Sequence, residues 1–151
     1  MVILGNVIKR VIKTRAQLNF RHQSAVAYQE KTLRKLLRKA KYTEFGMHYG
    51  FGSLLEQENI FDEYKHRVPV HNYNSIYNQW WNKTHKGEWN ICWPGVTKYF
   101  ALSSGTSESA SKHIPITRDM IRAIRRASLK QILSLANYEF PSAIFQKGIL
   151  M

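Results

Sequence analysis

Apolar residues recur at helical spacing along the first forty positions of the chain. Leu33, Leu36, Leu37 and Ala40 fall on one face of a helix predicted over about residues 26–41. The basic residues among them are predicted to point away from that face: Lys31, Arg34, Lys35, Arg38 and Lys39. A similar pattern predicts an earlier amphipathic helix over about residues 2–21.

Helix-breaking and capping residues divide the middle of the chain into short elements. Three glycines in "TEFGMHYGFGS" are predicted to break the basic helix. Asn59 is a suitable cap for a short helix over about residues 60–66, and Pro69 favours extended backbone in "RVPV". The stretch "YNSIYNQWWNKTHKG" predicts another helix, which ends near Gly87 because glycine readily takes the conformation that closes a helix.

After the turn at "WPG" the pattern becomes extended. An apolar run predicts a strand over about residues 96–102, and "KHIPI" is extended again after a serine-rich loop. Thr117 is predicted to cap a long helix over about residues 118–137, with Asp119 favourable in its first turn. The segment "SAIFQKGILM" resembles a strand that is beginning. Helices followed by strand, loop, strand and helix indicate an α/β protein.

The size and composition of the chain indicate a folded protein. Its 151 residues suffice for one ordinary domain, and 44% of them are apolar. The single cysteine, Cys92, excludes an internal disulfide and a cysteine-based metal cluster, and is predicted to be a buried thiol. No apolar stretch has the length of a membrane-spanning helix or the layout of a secretory signal. No membrane span and a cytoplasmic location are therefore expected.

Positive charge is concentrated at the start of the chain. Of a formal net charge of +13, a net +10 lies between Met1 and Lys41, where eleven lysines and arginines accompany one acidic residue. A solvated outer face on packed helices is the first interpretation of this segment. The alternative is a small basic helical module that binds nucleic acid or an anionic membrane surface through Lys9 to Lys41. Because the tryptophans lie far from this charge in sequence, no nucleic-acid partner is expected.

The loop after the predicted strand has the chemistry of an anion-binding site. It brings together hydroxyl side chains, a glycine and a lysine: Ser103, Ser104, Gly105, Thr106, Ser107 and Lys112. Glycine permits a close backbone approach to an anion, hydroxyl and amide groups donate hydrogen bonds, and the lysine supplies positive charge. The GxxxxGK[ST] and GxGxxG phosphate motifs are absent, and a serine-rich surface loop is an equally good interpretation of the composition.

Other residues that carry chemistry have simpler interpretations. The six histidines show no metal-ligand spacing and are predicted to be solvated or to cap helices. With Asp62 and Asp119 as the only aspartates, no Ser-His-Asp set is indicated, and no dedicated metal site is expected. The four tryptophans are predicted to pack in the core and its turns: Trp80, Trp81, Trp89 and Trp93.

Longer stretches of the sequence resemble a known family. The loop "LSSGTSESASKHIP" is similar to the [ST]SG[ST]T…K loop of the adenylate-forming superfamily, which includes acyl-CoA synthetases and luciferase. Three stretches resemble, in order, landmarks near the start of the auxin-responsive acyl-acid amido synthetases: "LRKLLRKAKYTEFGMHYGF", "VPVHNYNSIYNQWW" and "GEWNICWPGVTKYFALSSGTS". The resemblance covers nearly the whole chain, from about Gln29 onward.

This resemblance implies an ATP-dependent ligase. A carboxylic acid would react with MgATP to give an acyl-adenylate and pyrophosphate, and the amine of an amino acid would then form an amide. Residues Ser104 to Ser107 would surround the β- and γ-phosphates and stabilise charge on the departing pyrophosphate. Ser103 would support the turn, and Lys112 would help to neutralise the phosphates. The identity of the acid and of the amine does not follow from the sequence.

The resemblance also implies an incomplete α/β domain. Residues 1–42 would form a basic amphipathic helical segment. Residues 43–151 would form the start of an adenylate-forming domain, in which strand, phosphate loop, strand and helix open a larger sheet. Because the acid pocket and the C-terminal domain of such enzymes would lie beyond residue 151, the chain is expected to be an N-terminal fragment without synthetase activity of its own.

Overall fold

A computed structural model of the protein describes residues 24–103, 112–134 and 138, and, before them, residues 7, 10, 11 and 14. These residues are mostly helical and include a two-stranded antiparallel sheet, which agrees with a mixed α/β class. The chain divides into two compact units. One is Gln23–Arg118, and the other comprises Met1–His22 and Asp119–Met151. The boundary expected between residues 42 and 43 stays a prediction.

Short helices and a hairpin follow one another through the described part of Gln23–Arg118. The helices are α1 (Ala25–Ala40), α2 (Glu44–His48), α3 (Phe51–Leu54), α4 (Ile60–Arg67), α5 (Tyr73–Ile76) and α6 (Asn82–His85), and a π-helical turn (Tyr77–Trp81) joins the last two. The strands are β1 (Tyr99–Ser103) and β2 (Lys112–Ile116), and α7 (Arg118–Ser134) follows them.

The long helix α1 confirms the helix expected over residues 26–41. Ser24 caps its start: the Ser24 side chain accepts the N–H of Ala27 and so satisfies one of the free amides of the first turn. Leu37 and Ala40 are buried, as the apolar pattern predicts. Leu36 differs, because 47% of it is exposed. The buried stripe is therefore narrower than the sequence suggested.

The glycine-rich stretch after α1 is not a simple break. The chain turns at Thr43, whose Oγ1 donates to the carbonyl oxygen of Ala40 (2.7 Å) and accepts the N–H of Gly46 (3.0 Å). These two bonds end α1 and start α2 within three residues. Gly50, with φ of 64°, then takes the left-handed conformation that leads into α3. The glycines thus join two further helical turns.

The later helices agree with the sequence signals. Asn59 accepts the N–H of Asp62 at the start of α4, as expected. Val68 is extended, with φ of −102° and ψ of 107°. Asn72 caps α5 by accepting the N–H of Ser75 at 2.8 Å. The π-helical turn between α5 and α6 is not indicated by the sequence.

The core of this unit lies between α1 and the short helices that follow it. Its buried apolar members come from three helices, α1, α3 and α4: Leu37, Ala40, Phe51, Leu54 and Ile60. A loop covers the start of α2, because the carbonyl oxygens of Asn90 and Ile91 accept the N–H groups of Glu44 (2.8 Å) and Phe45 (2.9 Å). Backbone amides that begin a helix need such partners when they are buried.

The hairpin follows this loop. β1 begins three residues later than the predicted strand, and β2 corresponds to the whole of "KHIPI". The two strands pair from Tyr99 opposite Ile116 to Ser103 opposite Lys112. Residues 104–111, which join them, lie outside the described residues.

Two helical predictions fall wholly or partly in the other unit. Within the predicted helix 2–21, the four described residues are helical: Val7, Arg10, Val11 and Thr14. The helix predicted over residues 118–137 is described as far as Ser134, and the segment "SAIFQKGILM" lies outside the described residues. No helix in the described part of the chain combines the length and the apolar character that crossing a membrane requires.

Candidate functional site

Two of the six residues in the predicted phosphate-binding loop are described, and they lie opposite each other. Ser103 ends β1, Lys112 begins β2, and the two are paired in the register of the hairpin. Ser103 is half-buried and Lys112 is exposed. The other four predicted residues lie outside the described residues: Ser104, Gly105, Thr106 and Ser107. A hydroxyl group and a primary amine therefore flank the two ends of the loop.

Tyr73, the first residue of α5, contacts the end of this loop. Its hydroxyl oxygen accepts the backbone N–H of His113 at 3.0 Å. The Lys112 Nζ lies 5.4 Å from the centroid of the Tyr73 ring, within the range of a cation–π interaction. One side chain thus binds the backbone of β2 and lies beneath the charged group next to it. Tyr73 is not among the residues that the sequence pattern indicated for this site.

Aromatic neighbours support the Tyr73 ring. Tyr77 stacks on it with centroids 5.6 Å apart, and Trp81 packs edge-on at 6.1 Å. The three residues recur at intervals of four, which brings side chains to neighbouring positions on a helix surface. That spacing is the sequence signal that could have found them. We call Tyr73, Tyr77 and Trp81 the aromatic row.

Two histidines join the hairpin to the aromatic row. The rings of His85 and His113 lie 4.9 Å apart, and His85 also packs edge-on against Phe100 of β1 at 5.0 Å. The Tyr77 hydroxyl and Nδ1 of His85 are 3.4 Å apart. His85 is exposed and is the last residue of α6, as expected of a solvated or capping histidine, whereas His113 is half-buried, so the expectation is wrong for His113. They pack between β1, β2 and the helical segment because an imidazole ring offers both an apolar face and a polar edge.

The tryptophans divide by position. Trp80 is buried and packs edge-on against Phe45 at 5.2 Å. Its indole Nε1 is buried and lacks a hydrogen-bond partner among the described residues. Trp89, in contrast, is 71% exposed, so the packing expected for it is not seen. Trp81 and Trp93 are half-buried.

An open cleft of about 780 Å³ lies beside Trp80 and is lined by His48, His66, Arg67 and His71. Its Arg67 already bonds Glu63, 3.2 Å away, and the Ser53 hydroxyl, 2.8 Å away. His71 lies 3.2 Å from the Tyr49 hydroxyl. Because these groups are used in internal contacts, the cleft presents little unpaired charge to a ligand.

Cys92 is unsuited to act as a nucleophile. Burial raises the pKa of its thiol to about 12, and the Glu44 carboxylate contributes in the same direction. The thiol is therefore protonated at neutral pH. A reactive cysteine, in contrast, has a lowered pKa, because the thiolate is the nucleophile. Within the described ranges, no three histidine, cysteine or acidic side chains come together as ligands for a metal ion.

The basic face of α1 is only partly free. Lys31, Lys35 and Arg38 are exposed, as predicted. The prediction that Arg34 also points away from the fold is wrong. Arg34 is half-buried and donates to the carbonyl oxygens of Leu55 at 3.0 Å and of Gln57 at 2.9 Å. It also donates to Glu30 in the preceding turn, at 2.8 Å. This residue stabilises the fold instead of pointing away from it.

Comparison with known proteins adds one finding to this geometry. Residues 14–151 match the family model described as the GH3 family N-terminal domain. The match spans the hairpin, the loop between its strands and the helical segment that carries the aromatic row. Among curated proteins and among solved structures, the comparisons found no match.

Proposed function

This chain belongs to the GH3 family, and we propose that it takes part in the activation of a carboxylic acid by ATP. The family includes auxin-responsive acyl-acid amido synthetases, so the resemblance noted in the sequence is confirmed. In the proposed reaction a carboxylate oxygen attacks the α-phosphorus of ATP and pyrophosphate leaves, which gives an acyl-adenylate. The amine of an amino acid then attacks the acyl carbon, AMP leaves, and an amide is formed.

The pairing of Ser103 with Lys112 is the observation that supports the proposal most directly. The antiparallel register brings both ends of the loop together, so a hydroxyl donor and a positive charge flank the residues between them. Hydrogen bonds to a charged phosphate are stronger than those between neutral groups. The donor set from Ser103 to Lys112 therefore suits the β- and γ-phosphates of ATP, with Mg²⁺ arriving bound to the nucleotide.

Each part of the loop has a role in this proposal. Ser104, Thr106 and Ser107 donate hydrogen bonds to the phosphates, and Gly105 lets the backbone approach them closely. Ser103 supports the turn, and Lys112 offsets the negative charge that grows on pyrophosphate as it leaves. Donors oriented before the reaction stabilise such charge without having to reorganise.

A double substitution in the loop tests the proposal. Ser104→Ala with Thr106→Ala removes two hydroxyl donors from the protein expressed from its complete reading frame. Exchange of radioactive pyrophosphate into ATP is then measured with a panel of carboxylic acids. Loss of one such donor in an active site lowers the rate by about 10²–10³-fold, so we expect exchange to fall at least that far.

The matched control is Thr32→Ala with Ser134→Ala. These two exposed hydroxyls bond to carbonyl oxygens of their own helices, so their loss changes the same chemistry away from the loop. The control should keep its exchange activity. Full activity in the Ser104 and Thr106 double variant would contradict the proposal.

A basic binding module is the second candidate, favoured by the exposed row of Lys31, Lys35 and Arg38 on α1. Replacement of all three by glutamine would abolish polyanion binding if this row were the site. Filter binding to a DNA duplex across a range of salt measures the effect, because phosphate-driven binding falls steeply as salt rises. Under the ATP proposal, the same triple variant retains pyrophosphate exchange.

A further inference from the structure

Contacts within its own helical segment hold the Tyr73 side chain in place, independently of the hairpin. The Asn72 side chain accepts the N–H of Ser75 and so determines where α5 begins. Tyr77 and Trp81 pack against the Tyr73 ring from later turns of the same helical segment. A ring supported in this way loses little further freedom when a cation lies over it.

The Tyr73 hydroxyl acts on the backbone of β2. In an antiparallel pair, alternate residues direct their N–H groups away from the partner strand. The N–H of His113 is directed to the Tyr73 oxygen at 3.0 Å. This bond ties the first turn of α5 to the residue that follows Lys112. The bond therefore connects the start of β2, where the loop ends, to a residue 40 positions earlier in the chain.

The Tyr73 ring acts on the Lys112 side chain. A lysine has a long flexible stem and many rotamers, and Lys112 is exposed. The Lys112 Nζ lies 5.4 Å from the centroid of the Tyr73 ring, so the cation–π attraction favours rotamers that keep the ammonium group over the ring. Lys112 itself lies at the end of the loop, opposite Ser103.

We infer that Tyr73 is a positioning residue for nucleotide binding, which aims the Lys112 ammonium at the β- and γ-phosphates of ATP. The inference rests on the proposed function of the loop. It adds a residue outside the loop and assigns it to the polyphosphate part of the nucleotide. AMP has no β- or γ-phosphate, so its affinity should not depend on Tyr73.

Binding of MgATP and of AMP, measured by calorimetry on the protein from its complete reading frame, tests the inference. Tyr73→Leu removes both the ring and the hydroxyl, and is expected to weaken MgATP binding by about two- to fivefold, the size of an exposed cation–π interaction. Binding of AMP should be unchanged. In a Lys112→Met background, Tyr73→Leu should have no further effect on MgATP, because Tyr73 acts through Lys112.

Tyr42→Leu is the matched control. The Lys41 Nζ lies 4.5 Å from the Tyr42 ring centroid, so this variant removes another lysine–tyrosine pair, outside the hairpin. It should leave MgATP binding unchanged. Tyr73→Phe keeps the ring below Lys112 and removes the bond to His113. It provides a milder variant should Tyr73→Leu fail to fold, and we expect it to retain most of the preference for MgATP over AMP.

The outcomes separate this inference from the proposed function. Equal weakening of MgATP and AMP by the Tyr73 variants would show a purely structural role and overturn the inference. The inference also fails if Lys112→Met weakens MgATP binding and Tyr73→Leu does not, or if the effect of Tyr73→Leu persists without Lys112. If neither Lys112→Met nor the Ser104 and Thr106 double variant alters MgATP binding, the proposed function itself is overturned.

Discussion

The backbone of Gly46 packs directly against the carbonyl group of Ala40. A Cβ atom built on Gly46 would lie only 2.0 Å from the Ala40 oxygen, and that oxygen belongs to the last turn of α1. Helix propensity alone favours alanine in α2. The packing of α2 on the end of α1 reverses that preference, because main-chain atoms cannot move aside as a flexible side chain can.

Gly46→Ala should therefore destabilise the protein by about 3 kcal/mol, the upper end of the usual cost of overpacking. Gly52→Ala is the matched control, since α3 leaves open space around that position. It should be neutral or stabilising by up to about 1 kcal/mol. Urea unfolding followed by circular dichroism measures both variants. A neutral result for Gly46→Ala would contradict the close contact.

Arg34 connects α1 to the segment between α3 and α4. Its guanidinium group donates to the carbonyl oxygens of Leu55, Gln57 and Glu58, as well as to Glu30. Arg34→Met leaves these acceptors without their donor, and should lower the free energy of unfolding by about 2 kcal/mol. Arg38→Met, an equal loss of charge on the exposed face, should change it by less than about 0.5 kcal/mol. Thermal unfolding measures both variants. Similar losses of stability in Arg34→Met and Arg38→Met would show that the loss of positive charge, and not the loss of these hydrogen bonds, is responsible.

Thr43 is almost fully buried, and its hydroxyl joins α1 to α2. Thr43→Val keeps the shape but leaves the Gly46 N–H without its side-chain acceptor, at a cost of about 2 kcal/mol. Thr43→Ser keeps both hydrogen bonds and loses one buried methyl group, at a cost of about 1 kcal/mol. Valine should thus be the more damaging change in chemical denaturation. The reverse order would show that packing matters more than the cap.

Cys92 should make stability fall as the pH rises above 9. Burial raises its pKa from 9.0 to about 12, so between these values the folded protein retains a proton that the unfolded chain has released. Stability decreases with pH wherever the folded state binds more protons. Between pH 9 and 10 the protein should lose about 1 kcal/mol more stability than Cys92→Ala does, as measured by urea unfolding at each pH. An identical pH dependence in the two proteins would contradict the raised pKa.

Local patterns were sufficient for the elements whose signals lie close together in the chain. Asn59 caps α4, as expected, and the period of Leu33, Leu37 and Ala40 predicts α1 to within one residue at each end. These features depend on hydrogen bonds and side-chain spacing within one or two turns. The strand before the loop and the family resemblance also follow from short ordered stretches of sequence.

The candidate site was only partly accessible to the same reasoning. The residue types of the loop indicated anion binding, and the ends of the loop were recognised as extended segments. Their pairing into a hairpin was not, because antiparallel pairing and a new parallel strand have similar local sequences. The roles of Tyr73 and His85 were missed for the same reason. The spacing of Tyr73 and His85 along the helical segment can be read from the sequence, but their contacts with the strands cannot. Tyr73 contacts His113, 40 residues later, and His85 contacts Phe100 and His113, which are also distant in sequence.

The sequence by itself determined where several helices begin and the family to which the chain belongs, and it predicted a phosphate-binding role for one loop. Only the tertiary structure decided that Arg34 is a structural residue, that Gly46 is a contact point, and that Tyr73 lies beneath Lys112. Arg34 meets a carbonyl oxygen 21 residues away, and Tyr73 meets an amide 40 residues away. Such contacts depend on how separate elements pack against one another, and local conformational preferences carry little information about that packing.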